Sequence, residues 1–166
     1  MAAVAIQLDN DPECLPLATS PHAKLQVRIL LIEDSEEAMW LVRLALQEFG
    51  HGRYLLEWVA SLNEGIKQLS AGAVDIVLLD LGLPETSGPE SYACVHEIAP
   101  ETPVVVLTAD SREETEFAVT SSGAEGYLIK DQVSGSLLLQ AIRAALFVSR
   151  QRKESRDTQG FLQLAF

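Results

Sequence analysis

Charged and hydroxyl side chains stand directly after four apolar runs of the sequence. Glu33 and Asp34 follow "VRILLI", and Asp80 follows "VDIVLL". Thr108 follows "VVVL", and Lys130 follows "EGYLI". Carboxylates are preferred ligands of hard cations and can accept phosphoryl groups as acyl phosphates, while lysine and hydroxyl groups can hold phosphoryl oxygens. If the fold brings them together, these residue types predict a site for a divalent cation and a phosphoryl group.

The elements that carry these residues are predicted from hydrophobic periodicity. The four runs are short and rich in branched side chains, as expected of strands covered on both faces, and "YLLEWVA" supplies a fifth strand. Helical spacing fills the intervals, with capping-box patterns at Asp34–Glu37 and Asp110–Glu113 and a proline stop after Ala99. Strands are predicted at 27–32, 54–60, 74–79, 104–107 and 125–129, and helices at 34–50, 61–71, 89–99, 110–123 and 135–153.

Strict alternation of these elements predicts an α/β domain with a doubly wound, five-stranded parallel sheet. Two common strand orders fit such a string, and both place ligands outside the carboxyl ends of the strands, where the order switches. The acidic, hydroxyl and lysine side chains are therefore expected at the same edge of the sheet.

Electrostatics indicates what this edge would bind. Two like charges 4 Å apart cost about 4 kcal/mol at an effective dielectric constant of 20, so three clustered carboxylates need protonation or a counter-cation. Carboxylate oxygens suit Mg²⁺. Each residue also has a simpler interpretation: Glu33 and Asp34 as helix caps, Asp80 as a turn residue, and Lys130 as a surface lysine. Their combination favours the site, with Asp80 as the nucleophile.

Four segments together resemble the receiver domain of two-component response regulators, which has the fold of the bacterial chemotaxis regulator. They are "LIEDSEE", "VLLDLGLPETSG", "VVVLTAD" and "GYLIK", and the resemblance covers about residues 26–150. It implies a flavodoxin-like (βα)5 domain with strand order 2-1-3-4-5. It also implies a phosphoprotein that takes a phosphoryl group from a histidine kinase or a phosphotransfer protein and then changes a surface that binds a downstream protein.

The resemblance also assigns roles to individual residues. Asp80 is the implied phosphoacceptor, and Lys130 and Thr108 are implied to bind the phosphoryl oxygens. Thr108 and Tyr127 are the implied switch residues. The implied Mg²⁺ ligands are Glu33, Asp34, Asp80 and the backbone carbonyl of Gly82.

Three positions depart from or vary within the family pattern. Asp131 follows Lys130 where the family commonly has proline, so we expect a trans peptide bond and a differently shaped loop. The resemblance implies that Gly82 and Asp110 flank the site at variable positions, which in that family tune the loss of the phosphoryl group. Because glycine blocks nothing and an acid can orient water, the sequence predicts a short-lived phosphoryl state.

Composition excludes several classes of protein. The net charge of −12, from 24 acidic residues against 12 Lys and Arg, argues against nucleic-acid binding. The start "MAAVAIQLDNDPE" has no basic segment typical of a signal peptide, and no apolar window approaches the ~18–20 residues of a membrane span. Cys14 and Cys94 have no metal-ligand spacing. These features predict a cytoplasmic protein.

The ends of the chain add a possible interface. We predict an N-terminal arm or leader at 1–25, a receiver domain at 26–153 and a C-terminal tail at 154–166. The last helix, "SLLLQAIRAALFVS", is apolar in nearly every direction, which indicates either deep packing or an interface. We favour a homodimer through the 110–150 face and the tail, whose apolar residues are Phe161, Leu162, Leu164 and Phe166.

Three alternatives stay open beside a phosphorylated switch. The chain could be the receiver module of a larger sensor or kinase, or an unphosphorylated pseudo-receiver that acts as a protein-binding scaffold. An aspartate-based phosphatase is disfavoured, because such enzymes need D-x-D and "DLG" lacks the second acid. The predicted activity is limited to Mg²⁺-dependent self-phosphorylation from a donor and self-dephosphorylation.

Overall fold

A parallel sheet of five strands forms the centre of the molecule. The computed structural model describes residues 26–86 and 88–163, and the side-chain environments as far as residue 157. The strand order is 2-1-3-4-5 with every pair parallel, which confirms the predicted α/β fold and strand order. The strands are β1 (Val27–Ile32), β2 (Tyr54–Val59), β3 (Ile76–Asp80), β4 (Val104–Thr108) and β5 (Gly126–Ile129).

Helices cover both faces of this sheet. On one face, α1 and α5 pack over a cluster that includes Ile29, Leu78 and Ile142. On the other face, the remaining helices enclose a cluster that includes Leu30 and Leu79. Neighbouring residues of a strand point to opposite faces, and every residue of β3 is buried. Both faces of this strand are therefore covered. The helices are α1 (Glu36–Gly50), α2 (Leu62–Ala71), α3 (Pro89–Ile98), α4 (Glu113–Ser121) and α5 (Gly135–Gln163).

The start of α1 differs from the predicted capping box. Ser35, not Asp34, is the N-cap, and its Oγ accepts a hydrogen bond from the Ala38 N–H at 3.2 Å. The capping prediction at Asp34 is therefore wrong. Because the Ser35 side chain makes the capping hydrogen bond, the Asp34 carboxylate is not needed to cap α1.

The start of α4 is also later than predicted. The helix begins at Glu113 rather than Asp110, and its N-cap residue Arg112 makes no side-chain capping bond. The Asp110 carbonyl instead accepts a hydrogen bond from the Tyr127 hydroxyl at 2.7 Å. A contact from β5, which is distant in sequence, therefore bonds Asp110 within the loop before α4.

The last helix runs ten residues beyond its predicted end at 153, to Gln163. Apolar periodicity ends near residue 150, but the Arg, Gln, Lys and Glu that follow are good helix formers. Arg152 also pairs with Glu125 at 2.6 Å, and Arg156 pairs with Glu101, which ties this segment to the domain.

Further sequence predictions concern the peptide bond after Lys130 and the two ends of the chain. No cis peptide bond occurs in the described chain, so the Lys130–Asp131 bond is trans as predicted, within a short 3-10 turn. The predicted arm at 1–25 lies outside the described residues, as do Leu164 and Phe166 and the side chains of Phe161 and Leu162. No helix in the described part is long and apolar enough to cross a membrane.

Candidate functional site

The strand register gathers the predicted site residues at one edge of the sheet. Asp80 and Thr108 are the last residues of β3 and β4, whose pairing aligns Asp80 with Leu107. Glu33 directly follows β1, the neighbour of β3, and Lys130 directly follows β5, the neighbour of β4. The carboxyl ends of β1, β3, β4 and β5 therefore bring these side chains to the same edge of the sheet.

Three carboxylates form a cluster at this edge. Glu33, Asp34 and Asp80 each offer one oxygen within 4.8 Å of the others. Glu33 and Asp80 are only 1% and 4% exposed, whereas Asp34 is open to solvent. Burying two carboxylates together is costly unless positive charge and hydrogen bonds compensate, so their partners determine how the site is held together.

Lys130 bridges the two buried carboxylates. Its Nζ lies 2.7 Å from Glu33 Oε2 and 3.0 Å from Asp80 Oδ2. Burial, with a further contribution from the charge of Asp80, raises the pKa of Glu33 above its ordinary value despite the hydrogen bond from Lys130. For Lys130, burial acts to lower the pKa, but the two carboxylates outweigh it and the pKa is raised. Lys130 therefore stays charged.

Backbone groups fix the other oxygen of each buried carboxylate. The Gly82 N–H donates to Asp80 Oδ1 at 3.0 Å, and the Ser35 N–H donates to Glu33 Oε1 at 3.2 Å. A Cβ atom at Gly82 would approach Asp80 Oδ2 to 3.3 Å, so glycine leaves the approach to the acid open. Each buried acid is thus oriented by both a lysine and a backbone amide.

The donor set of the cluster fits a hard divalent cation. All three side-chain donors are carboxylate oxygens, and one residue, Asp34, faces solvent from which such an ion would enter. Oxygen ligands together with water are the coordination that Mg²⁺ prefers. Receiver domains generally bind Mg²⁺ through an acidic cluster of this kind.

An open depression of about 540 Å³ lies beside the cluster. Asp80 and Lys130 line it together with Thr108 and the small residue Ala109. The Thr108 side chain is buried, and its Oγ1 accepts a hydrogen bond from the Asp110 N–H at 3.1 Å. Its hydroxyl hydrogen remains available to a group that enters the depression.

Tyr127 is connected to the same loop from β5. Its hydroxyl donates to the Asp110 carbonyl at 2.7 Å, and its ring packs partly buried against the hydrophobic cluster under α2, α3 and α4. Burial, followed by the charge of Asp110, raises the pKa of Tyr127. The two predicted switch residues, Thr108 and Tyr127, are thus both hydrogen-bonded to the backbone of Asp110.

Two residues near the site were absent from the sequence prediction. Arg112 lines the depression and pairs with Asp110 Oδ2 at 2.7 Å, while Thr115 Oγ1 donates to the same oxygen at 2.8 Å. The Arg112 N–H donates to Asp110 Oδ1, a turn that aspartate commonly forms with the backbone two residues later. The aspartate at 110 was therefore a usable sequence signal for this turn. The guanidinium contact itself had no sequence signal.

Comparison with protein families identifies the same region of the chain. The model of the response regulator receiver domain matches residues 29–143. The KDP operon transcriptional regulatory protein KdpE of Escherichia coli is 32% identical over 118 residues, which cover 71% of this chain and 50% of KdpE. The transcriptional regulatory protein AfsQ1 of Streptomyces coelicolor is 32% identical over 133 residues, which cover 80% of this chain and 56% of AfsQ1. The chain therefore spans about half the length of these curated relatives.

A solved structure supports this comparison. The signal receiver domain of an HD domain-containing protein from Pseudomonas fluorescens is 27% identical, with a TM-score of 0.66. The match covers 76% of this chain and 98% of that domain. The part of this chain that carries the acidic cluster and the depression is thus similar to an entire domain of known structure.

Proposed function

Because this chain belongs to the response regulator receiver domain family, we propose that Asp80 accepts a phosphoryl group from a histidine kinase or a phosphotransfer protein. The observation that carries this proposal is the position of Asp80. Its carboxylate is buried against Lys130, faces an open depression beside Thr108, and lies within a cluster of three carboxylates.

The chemistry follows from these positions. An oxygen of Asp80 attacks the phosphorus atom of the donor, and the bond from phosphorus to the donor nitrogen breaks as an acyl phosphate forms. Lys130, already 3.0 Å from Asp80 Oδ2, lies where its charge can stabilise the transferring phosphoryl oxygens. The Thr108 hydroxyl hydrogen supplies a donor from the adjacent strand.

Glu33, Asp34 and Asp80 would hold Mg²⁺, with the backbone carbonyl of Gly82 as a further ligand. When bound, the ion would supply positive charge next to the phosphoryl oxygens. The protein contributes by keeping the three carboxylates in place through Lys130 and the Ser35 and Gly82 amides.

The switch in this proposal passes through the loop that follows β4. A phosphoryl oxygen on Asp80 draws the Thr108 hydroxyl toward it, and Asp110 follows because its N–H is bonded to Thr108 Oγ1. Tyr127 is bonded to the Asp110 carbonyl, so the change reaches β5. The output is a changed protein-binding surface around α4, which starts three residues after Asp110.

The surface that responds is proposed to include a homodimer interface through the 110–150 face and the C-terminal segment. Phe117 on α4 is 73% exposed, and Phe147 on α5 is also exposed. Exposed aromatic side chains of this size are enriched at interfaces between proteins.

A second setting for the same chemistry is as the receiver module of a larger protein. The curated relatives are about twice as long as the part that this chain matches, which supports that setting. An unphosphorylated scaffold is less well supported, because it would need neither a third acid, Asp34, in the cluster nor an open depression beside Asp80 and Thr108.

The proposal is tested by labelling the full chain with a small phosphodonor, phosphoramidate, in the presence of Mg²⁺. Wild-type protein should take up about one phosphoryl group per chain, as measured by intact mass, and Asp80→Asn should take up none because its amide is not a nucleophile for phosphorus. Asp157→Asn, at an exposed position of α5, is the matched control and should label like wild type. Stoichiometric labelling of Asp80→Asn would refute the assignment.

A further inference from the structure

The Asp110 carboxylate is surrounded by donors. Its Oδ1 accepts from the Arg112 backbone N–H and from Arg112 Nε, both at 2.9 Å. Its Oδ2 accepts from Arg112 Nε at 3.0 Å, Arg112 Nη2 at 2.7 Å and Thr115 Oγ1 at 2.8 Å. Both oxygens are therefore engaged, and little of their lone-pair capacity is left for water.

This carboxylate occupies a position where a free acid would matter. Asp110 and Arg112 line the same depression as Asp80, Thr108 and Lys130. Among the described residues that line it, Asp80 and Asp110 are the carboxylates, and the others offer no comparable base. Once Asp80 carries a phosphoryl group, Asp110 is the base that remains within the depression.

The pairing with Arg112 suppresses this basicity. Hydrogen bonds from the Arg112 guanidinium and backbone, in that order, lower the pKa of Asp110 well below its usual range. A paired carboxylate accepts a proton less readily than a free one, and its oxygens are directed at the guanidinium. The sequence prediction of a short-lived phosphoryl state assumed that the acid at 110 is free to orient water, whereas the structure pairs it with Arg112.

We propose that Arg112 is a positioning residue that masks Asp110 and so lengthens the lifetime of phosphorylated Asp80. This inference rests on the proposed function. In the unmasked state, a water oxygen bonds to phosphorus, the bond from phosphorus to the Asp80 oxygen breaks, and Asp80 leaves as a carboxylate. The water proton moves to Asp110 and then to solvent, and inorganic phosphate is released.

The ion pair between Arg112 and Asp110, which masks the carboxylate, lies at the surface and can open. The Arg112 side chain is 73% exposed, so solvent screens its ion pair with Asp110 and the pair can open. A phosphoryl group on Asp80 adds negative charge to the depression that Arg112 lines, which gives the guanidinium a competing partner. Asp110 is thus paired in the closed arrangement and free only when Arg112 moves away, so the fraction of time that the pair is open sets the rate of hydrolysis.

The test is a double-mutant cycle on the full chain. Wild type, Arg112→Ala, Asp110→Asn and the double variant are phosphorylated with phosphoramidate and Mg²⁺, freed of donor, and followed by intact mass. Arg112→Ala should lose the phosphoryl group about tenfold faster than wild type, below the ~10²–10⁴ of an optimally placed base. The double variant should decay like Asp110→Asn, because unmasking has no effect without the acid.

A conservative variant separates masking from a general structural role. Arg112→Lys keeps the charge but loses the two-point contact with the carboxylate, so its decay rate should lie between wild type and Arg112→Ala. Equal acceleration in Arg112→Ala and the double variant would show that the effect does not pass through Asp110, which would overturn the inference.

The remaining outcomes distinguish this inference from the proposed function. If wild type labels and Asp80→Asn does not, but Arg112→Ala decays at the wild-type rate or slower, the masking role alone is wrong. If wild type takes no label, or Asp80→Asn is labelled equally, the phosphoacceptor assignment fails and the masking role fails with it.

Discussion

At the scale of single residues, the site depends on how Lys130 balances two buried acids. Its Nζ contacts Glu33 Oε2 and Asp80 Oδ2 in one bridge, and the third acid, Asp34, remains exposed. The Lys130 ammonium group thus supplies the positive charge that the two buried carboxylates would otherwise need from a bound cation. We therefore expect the metal-free protein to depend on Lys130 for stability and Mg²⁺ to compensate in part for its loss.

Lys130→Ala should lower the free energy of unfolding by about 3 kcal/mol at neutral pH in the absence of divalent cations. The cause is the burial of two carboxylates that have lost their counter-charge. Added Mg²⁺ should stabilise the variant more than it stabilises wild type, since the ion supplies the missing charge. Urea unfolding with and without Mg²⁺ measures both effects.

Lys67→Ala, an exposed lysine on α2, is the matched control and should leave unfolding nearly unchanged. A Lys130→Ala variant as stable as wild type, with the same response to Mg²⁺, would show that the charge balance of the site has been misassigned.

At the scale of elements, α2 approaches the sheet through a glycine. A Cβ atom built on Gly65 would lie 2.4 Å from Ile32 Cδ1 and 2.9 Å from Ile32 Cγ1. Ile32 is the last residue of β1, directly before Glu33, and is fully buried. The absence of a side chain at Gly65 therefore permits a close approach between α2 and the strand that delivers an acid to the site.

Gly65→Ala should destabilise the protein by about 1–3 kcal/mol, because the added methyl group overpacks the contact with Ile32. Ile32→Val removes Cδ1, the nearest atom, so the double variant should be more stable than the sum of the single effects predicts. Chemical denaturation of the four proteins measures this coupling.

A comparison of Gln68→Gly with Gln68→Ala, on the exposed face of α2, measures the change in helix propensity alone. Strictly additive effects of Gly65→Ala and Ile32→Val would mean that the two residues do not limit how closely α2 packs.

At the scale of the whole molecule, large apolar side chains are exposed on several elements. Phe117 on α4 belongs to the proposed dimer face and is 73% exposed, whereas Leu41 on α1 is 69% exposed and lies outside that face. Because these two side chains are similarly exposed, substituting each in turn distinguishes a specific interface from general hydrophobic association.

Phosphorylation is expected to strengthen the dimer if the 110–150 face is the switched surface. Sedimentation velocity with beryllofluoride and Mg²⁺ should show a larger dimer fraction than without them, because the phosphoryl mimic biases the loop before α4. Phe117→Ser should weaken dimerisation by about tenfold, the equivalent of about 1.4 kcal/mol.

Leu41→Ser should leave the dimer fraction as in wild type. A monomer under all conditions, or an equal loss in the two variants, would rule out the proposed interface.

Periodicity and strand ends were enough to predict the fold class, because both are local properties of the chain. β1 was predicted at its observed bounds, and α2 and α3 were each predicted within one residue of theirs. The side chains placed after β1, β3, β4 and β5 were predicted to converge, and the register does bring Glu33, Asp80 and Lys130 into contact. The family resemblance supplied the strand order.

Tertiary structure alone decided which partner each polar group takes. Ser35 rather than Asp34 caps α1, Tyr127 binds the Asp110 carbonyl in the loop before α4, and α5 continues to Gln163. The engagement of Asp110 by Arg112 and Thr115 likewise appears only when their side chains are placed. The physical reason is that burial patterns repeat along the sequence, whereas a hydrogen bond depends on positions within a few tenths of an ångström that the whole fold sets.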